Sequence, residues 1–331
     1  MTGADGRTPR VAVPRVHLVV VTYNRSGYLR GLLTSILALD PAPAGVTVVD
    51  NASTDDTADV LAAFGGRAPF PVHVERLPVN SGGAGGFRAG VTAALAATTS
   101  EGADWLWLMD DDVVALPDAL EAIGPFLTAA GAVHGRRQDG QGRPFFWQNR
   151  FHAWLGVPLP VPGNVFARGP VMRTDVGCFE GMFLNRATAE RVGPPDGRFF
   201  LTWDDTIYGW LISRTEPVTY VDRFVLRKVR PQRQVDLGVR HLNDSSDLSR
   251  FHVMRNRGHV ARYLQREGAF SRPGFAVGTA LTAAKELVRL LLVERAVRGV
   301  VPLWRGWRDS RAILRDPAWE PATAGTRGVG A

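Results

Sequence analysis

Trp105-Leu106-Trp107-Leu108-Met109-Asp110-Asp111-Asp112 is an apolar run that stops on three carboxylates. A run of this length reads as a buried strand, and hard oxygen donors at its end read as a divalent metal site. Like charges are costly to bury without a counter-charge, so the triplet belongs at a strand end, in water or on a metal. Asp110 and Asp112 lie two apart. A turn just past the strand lets both face one Mg2+ or Mn2+ ion while Asp111 points elsewhere. The competing reading is a solvated acidic turn or a helix cap.

Upstream, strand and helix signals alternate with short links. Residues 16–22 are a β-branched first strand; Asn24 or Ser26 is placed to cap a helix to about residue 39, which Asp40-Pro41-Ala42-Pro43 ends. Residues 46–49 are a second strand closing on Asp50-Asn51, and Ser53 or Thr54 opens a helix to about Phe64. Residues 72–77 are a third strand, the glycine-rich stretch 80–86 a loop, and residues 87–98 a helix. Such alternation predicts an α/β fold with a mostly parallel sheet covered by helices on both faces. Ligands then bind beyond the carboxyl ends of the strands, where Asp50, the glycine stretch and the acidic triplet all fall.

Downstream, a helix is expected from Pro117 to about Ala130, and residues 134–170 read as a long excursion over part of the active face or as a poorly ordered stretch. Residues 178–184 return to the sheet, 185–192 form a short helix stopped by Gly193-Pro194-Pro195, 199–205 open a helix to Arg214, and 218–221 are a last short strand. Beyond about residue 230 the chain turns basic, with helical spacing at 250–266 and 279–299. The division that follows is a disordered lead-in (1–14), a catalytic domain (15–228) with a nucleotide half (15–112) and an acceptor half (113–228), and a basic helical C-terminal extension (229–331) with a flexible tail.

At 331 residues and 45% hydrophobic content the chain can bury a large core. Its 39 Lys+Arg against 32 Asp+Glu give a charge of +7, which suits an anionic partner. No zinc-finger, helix-turn-helix or basic-aromatic pattern points to nucleic acid. The single cysteine, Cys178, offers no internal disulfide and reads as a buried apolar residue. Residues 1–14 lack a signal-peptide core, and residues 287–304 are interrupted by four charged side chains. That segment is suited to lying on a bilayer rather than crossing it, which points to a cytoplasmic protein, with attachment at the cytoplasmic membrane face open.

Four further features can carry chemistry. Asn80-Ser81-Gly82-Gly83-Ala84-Gly85-Gly86 leads into a helix, so its backbone can approach a ligand and the helix start can favour an anion. It meets neither the dinucleotide nor the P-loop spacing, and close packing is the equal alternative. Asp50 can accept from a base or a sugar hydroxyl, or cap the next helix. Arg25 can meet a phosphate or stand exposed at a helix start. Trp203-Asp204-Asp205 places two acids at a helix start, as a general base or as caps. His17 reads as a satisfied core residue; His134, His152, His241, His252 and His259 have no assigned part.

Taken in order, Val-Val-Thr-Tyr-Asn-Arg at 20–25, Val-Val-Asp-Asn-Ala-Ser-Thr-Asp at 48–55, the glycine stretch, the triplet and Trp-Asp-Asp at 203–205 resemble an inverting family 2 glycosyltransferase of the GT-A fold. The likeness covers residues 16–228 and is closest in character to galactofuranosyl- and rhamnosyltransferase-like members. The resemblance implies a UDP- or dTDP-linked sugar as donor, contacted by Thr22, Tyr23, Arg25 and Asp50. Asn80, Gly82, Gly83 and Gly86 would shape its pocket, with Asp110 and Asp111 at the nucleotide. Asp110 and Asp112 would hold Mg2+ or Mn2+ against the diphosphate. Asp205, beside Asp204, would be the base of a single inverting displacement, and Trp203 would stack on the acceptor. One departure stands out: residues 224–228, where relatives carry a metal-binding histidine, hold none, leaving His241 as a candidate.

The leading expectation is therefore transfer of a hexose to a glycan or lipid-linked glycan acceptor, with an anionic membrane surface as a further partner and a homo-oligomer left open. Tailoring of a soluble small molecule, or a non-catalytic carbohydrate- or nucleotide-binding module, are the alternatives.

Overall fold

The computed structural model describes residues 14–98, 102–230, 234–236, 241–243, 246–294 and 297–323. The expected lead-in, apart from Pro14, and the last eight residues of the expected tail lie outside them.

The first half follows the expected alternation: β1 (Val16–Thr22), α1 (Ser26–Leu37), β2 (Gly45–Asp50), α2 (Thr57–Gly65), β3 (Val72–Arg76), α3 (Gly82–Ala97) and β4 (Trp105–Asp110). β1 is buried along its whole length because helices cover both sheet faces. Val19 and Val21 pack in one core with Phe87 and Val91 of α3. Leu18 and Val20, pointing the other way, pack in a second core with Leu29, Leu32 and Ile36 of α1.

The second half adds β5 (Val113–Ala115), α4 (Ala119–Ile123), β6 (Ala132–Gln138), β7 (Pro144–Phe145), the hairpin β8 (Asn149–His152) and β9 (Val157–Pro160), β10 (Val171–Thr174), β11 (Met182–Asn185), α5 (Arg186–Val192), α6 (Asp204–Ser213) and β12 (Val218–Lys228). The main sheet has the order β10-β12-β6-β11-β4-β1-β2-β3, with β5 on β12 and β7 on β6. β1 to β4 pair in parallel, β6 and β12 run with them, and β11 and β10 run against. This is the mixed, mostly parallel α/β sheet expected.

Several local expectations are corrected. The glycine stretch is not a loop: α3 begins at Gly82, and the small residues let it lie close to the sheet. A Cβ on Gly86 would come 2.4 Å from Val21 Cγ1, and one on Gly90 2.5 Å from Val19 Cγ1. Packing overrides the poor helix propensity of glycine here. The helix after Pro117 is short, because Gly124 and Pro125 turn the chain into a 3-10 turn, Gly124–Phe126. Residues 132–138 are a strand inside the sheet, not the start of an excursion, and β12 runs for 11 residues rather than four. Asn24 and Ser26 do not cap α1, nor do Ser53 and Thr54 cap α2; Asn24 instead braces the 51–54 turn through Thr54 N, 2.7 Å from its Oδ1.

The C-terminal part holds a two-stranded ribbon, β13 (Gln234–Asp236) and β14 (His241–Asn243), then α7 (Asp247–Arg255), α8 (Arg257–Arg266), α9 (Arg272–Val288) and α10 (Val300–Arg315). Val260, Tyr263, Leu264 and Phe275 belong to the same core as Val19 and Phe87, so these helices complete the sheet's packing.

α6 is pressed onto the strand-free segment before β11 by two facing glycines. A Cβ on Gly209 would stand 2.0 Å from Gly177 N, and one on Gly177 2.2 Å from the Asp205 carbonyl oxygen. Backbone cannot yield as a side chain can, so Gly209→Ala is expected to lower the unfolding free energy by about 1–3 kcal/mol despite alanine's better helix propensity. Urea unfolding checks this; unchanged stability would contradict the close approach.

Candidate active site

The strand registers bring the acids to one edge of the sheet. Thr22 sits opposite Asp50, and Val21 opposite Asp110. β11 runs antiparallel to β4 with Met182 opposite Leu108. Continuing that register places Glu180 across from Asp110, and Gly181 N donates to the Leu108 carbonyl at 2.9 Å. Ligand oxygens of Asp110, Asp112 and Glu180 thus lie within 4.8 Å of one another. Glu180 was not singled out in the sequence: alternation predicted parallel neighbours, and only an antiparallel return puts the residue before β11 beside the end of β4.

The middle carboxylate is turned away, as expected. Asp111 accepts from Thr22 Oγ1 at 2.8 Å and from Arg25 Nη1 at 3.1 Å, and Arg25 also stands 3.6 Å from Asp112. Both Asp111 oxygens are therefore engaged within the protein.

Two buried cations hold Glu180. Arg137 Nη1 donates to its Oε1 at 2.6 Å, and Lys228 Nζ to its Oε2 at 2.5 Å. Lys228 ends β12, in the stretch where the sequence lacks a histidine, and Val229 N donates to the Asp112 carbonyl. Burial pushes the Glu180 carboxyl up, but Arg137 and Lys228 bring it below its ordinary value. Asp110 has no such relief: burial, then Glu180, Asp112 and Asp111, push it well up, with only Lys228 opposing. Four carboxylates, Asp111 included, against three cations, Arg25, Arg137 and Lys228, with Asp110 pushed well up, is a donor set that fits a divalent cation. The side chain of His241, the alternative ligand, lies outside the described residues.

Arg137 also ties this cluster to the second acidic site. Its Nη1 lies 3.4 Å from Cys178 Sγ, and the Cys178 N–H donates to His134 Nε2 at 3.2 Å. Burial pushes the thiol up to about 12 and the His134 imidazole down to about 3, so both stay neutral around neutral pH. Cys178 thus lies close enough to Arg137 and Asp205 for both charges to act on its thiol.

Asp204 and Asp205 open α6 after a strained approach. Phe200, Thr202 and Trp203 have φ of 62°, 68° and 70°, and Leu201 N donates to the Phe199 carbonyl at 2.7 Å across Phe200. Such conformations persist only where the surroundings enforce them. Here Asn256 does so. Its Nδ2 lies 2.7, 2.8 and 3.1 Å from the carbonyls of Phe199, Leu201 and Thr202. Trp203, half-buried, donates its indole N–H to the Val253 carbonyl at 2.9 Å and lies beneath the Arg257 guanidinium. Nothing local in the sequence marks Asn256. It sits between α7 and α8, so His252 and His259 are on two helices, not one.

Burial raises both acids, Asp204 more strongly because Asp205 lies beside it, to about 8. Asp205 is raised to about 6, held lower by the Thr206 N–H at 2.6 Å, the Thr206 hydroxyl and Arg137. The neighbouring pair therefore differs: one proton-bearing, one ionised near neutral pH.

The remaining candidates divide by what holds them. Asp50, 2% exposed, accepts from Ser53 N at 2.8 Å and lies 3.7 Å from Arg76; the two border an open cavity of about 440 Å³. Asn51 clamps the start of α3, accepting from Ser81 N at 2.9 Å and donating to the Gly82 carbonyl at 2.9 Å. Asn80 accepts from Gly82 N at 2.9 Å. Gly82 has φ +71° and a Cβ there would strike the Phe200 carbonyl oxygen at 2.1 Å, so close packing accounts for it, as it does for Gly86; around Gly83 there is open space. Ala84 N donates to the Phe200 carbonyl at 3.1 Å, joining the helix start to the loop before Asp204. Tyr23 is 41% exposed.

Residues 17–189 match the profile of the family described as Glycosyl transferase family 2. The galactofuranosyltransferase GlfT1 of Mycolicibacterium smegmatis is 30% identical over 196 residues, which cover 56% of this chain and 61% of that protein. GlfT1 of Mycobacterium tuberculosis is 29% identical over 264 residues, 74% of this chain and 81% of that protein. Among solved structures, the mannosyltransferase PcManGT from Pyrobaculum calidifontis, in complex with GDP-Man and Mn2+, is similar with a TM-score of 0.52 at 15% identity, over 92% of this chain and 88% of that one. That likeness shows the fold, the GT-A arrangement that the sequence resembles.

A carboxyl raised on folding lends stability only while protonated in the folded state. For Asp204 the contribution is full below the ordinary carboxylate range and is lost as pH rises toward about 8. Asp204→Asn is accordingly expected to raise the melting temperature by a margin that grows between about pH 5 and about pH 8. A margin independent of pH, measured by calorimetry, would place Asp204 in water.

Proposed function

The chain belongs to glycosyl transferase family 2, and we propose that it transfers a hexose of galactofuranose or rhamnose type from a UDP- or dTDP-linked sugar to a hydroxyl of a glycan or lipid-linked glycan, with inversion. The observation that carries this reading is the meeting of two acidic sites of opposite character around Arg137. Asp110, Asp112 and Glu180 form a negative cluster fit for a cation, and Asp205 is a half-buried carboxylate raised toward neutral pH. A binding module has no use for the second. The family and the GlfT1 likenesses support the sugar class.

In this reading Asp110, Asp112 and Glu180 hold Mg2+ or Mn2+, which when bound supplies positive charge to the departing nucleoside diphosphate. Lys228 and Arg137 fix Glu180 and share the work of neutralising the cluster. Arg25, anchored on Asp111, stands at the diphosphate end of β1, while Asp50 and Arg76 border the space for the nucleoside. The start of α3, from Asn80 to Gly86, forms the floor of the donor pocket with Gly83 as its open position.

Asp205 accepts the proton of the acceptor hydroxyl as its oxygen attacks the anomeric carbon from the face opposite the leaving group. A base raised toward the working pH both remains ionised and takes the proton more readily than an ordinary carboxylate. Asp204, protonated beside it, keeps a second like charge out of the pocket. Trp203 keeps its ring for the acceptor, since its indole N–H is committed to Val253.

Mass-spectrometric turnover of UDP-galactofuranose and dTDP-rhamnose with Mn2+ and mixed soluble and lipid acceptors tests the proposal. Asp205→Asn is expected to lose about 10²–10⁴-fold in turnover with donor affinity kept. Wild-type rate should fall as pH drops through about 6, where Asp205 takes up its proton. Turnover unchanged in that variant would remove Asp205 from the chemistry. Donor binding without turnover of any acceptor would favour the binding module. Glu180→Gln is expected to weaken Mn2+ affinity by about tenfold or more in a calorimetric titration; equal affinity would exclude Glu180 as a ligand.

A further inference from the structure

α9 and α10 carry an apolar face that the core does not use. Among the described residues 17 large hydrophobic side chains are exposed, and nine of them lie between positions 277 and 307. Leu291, Trp304, Leu281 and Val301 are more than half exposed, at 61, 55, 52 and 51%. Scattered exposed apolar residues are ordinary; a concentration along α9, α10 and the turn of helix between them is not. Between α8, α9 and α10 runs a groove of about 830 Å³, walled by Phe270, Phe275, Leu287, Leu303, Trp304 and Trp307. Among the described residues no aspartate or glutamate lines it, whereas Arg272, Arg311 and Arg315 do, all three exposed. The tryptophans lie under arginines, Arg308 being 5.7 Å from the Trp304 ring and Arg311 5.0 Å from that of Trp307. Among the described residues no helix is long and apolar enough to cross a membrane.

We infer that this face docks on an anionic lipid leaflet, the groove taking one acyl chain and Arg272, Arg311 and Arg315 meeting its headgroup phosphate. Apolar and aromatic side chains flanked by arginines, on helices too short and charged to span, are the make-up of an interfacial surface. The absence of acids in the groove argues for a negatively charged occupant over a second copy of the chain, whose apolar face would bring the same arginines against themselves. The inference deepens the proposal above, because a lipid-linked acceptor meets the enzyme at such a surface.

Co-sedimentation of the full chain with vesicles of phosphatidylglycerol and phosphatidylcholine, against phosphatidylcholine alone, tests it without any sugar donor. Preferential binding to the anionic vesicles is expected. The Trp304→Ser/Trp307→Ser variant should lower the partition by about tenfold or more, as should Arg272→Gln/Arg311→Gln/Arg315→Gln on anionic vesicles alone. Thermal melts matching the parent show that the variants are folded. Equal partition onto both vesicle types, no partition, or partition untouched by either variant would overturn the inference. So would a dimer in light scattering that Trp304→Ser/Trp307→Ser dissolves, since a second copy would then cover the face. Parent-rate turnover of a water-soluble acceptor by the tryptophan variant keeps a lipid-surface defect apart from a failure of the transferase reading.

Discussion

Three carboxylates within 4.8 Å of one another at the end of a buried strand impose the condition that the surrounding structure answers. Their mutual repulsion in a low-dielectric setting would not survive without positive charge close by. The protein supplies part of it from other elements: Arg137 from β6, Lys228 from the end of β12, and Arg25, just before α1, beside Asp112. What it leaves unneutralised falls on Asp110, whose carboxyl is the one pushed up. The antiparallel insertion of β11 between β4 and β6 makes this possible, since a parallel neighbour would carry Glu180 to the opposite end of the sheet.

The same condition explains what could be read from the sequence and what could not. The strand Val16–Thr22 was legible to the residue because every position but His17 is apolar or β-branched. The acidic triplet and the Asp204-Asp205 pair were legible as polar breaks after apolar runs. β6 was not: Ala132-Val-His-Gly-Arg-Arg-Gln carries the arginine that the acidic cluster needs, and the charge destroys the pattern that marks a buried strand. Glu180 was hidden by register, which is a property of two strands and not of one. The glycines of α3 looked like a loop because helix propensity is local, whereas Val19 and Val21, which require the absence of a Cβ, come from β1. Asn256 had no mark at all, because its three acceptors lie more than fifty residues upstream.

The C-terminal helices are accordingly a working part of the site and not an appendage to it. Phe200, Thr202 and Trp203 hold left-handed backbone angles that are costly for side-chain-bearing residues, about 1–3 kcal/mol each. Asn256, Val253 and Arg257 meet that cost by providing hydrogen bonds and a ring contact that exist only when α7 and α8 are docked. Asp204 and Asp205 therefore take their position from helices that follow them in the chain, and this edge of the sheet is complete only once the last third has folded onto it.

The hydrogen bond from Ala84 N to the Phe200 carbonyl makes a seam between the glycine-rich start of α3 and the loop that leads into Asp204 and Asp205. Gly82 seals it, since any side chain there would force the two backbones apart. A ligand that tightens one side of this seam lowers the ordering entropy left for a ligand on the other. Linkage then makes the effect mutual: whatever factor the donor contributes to acceptor affinity, the acceptor returns to the donor. If donor and acceptor sit on its two sides as proposed, the seam would couple the two binding events through a single carbonyl oxygen.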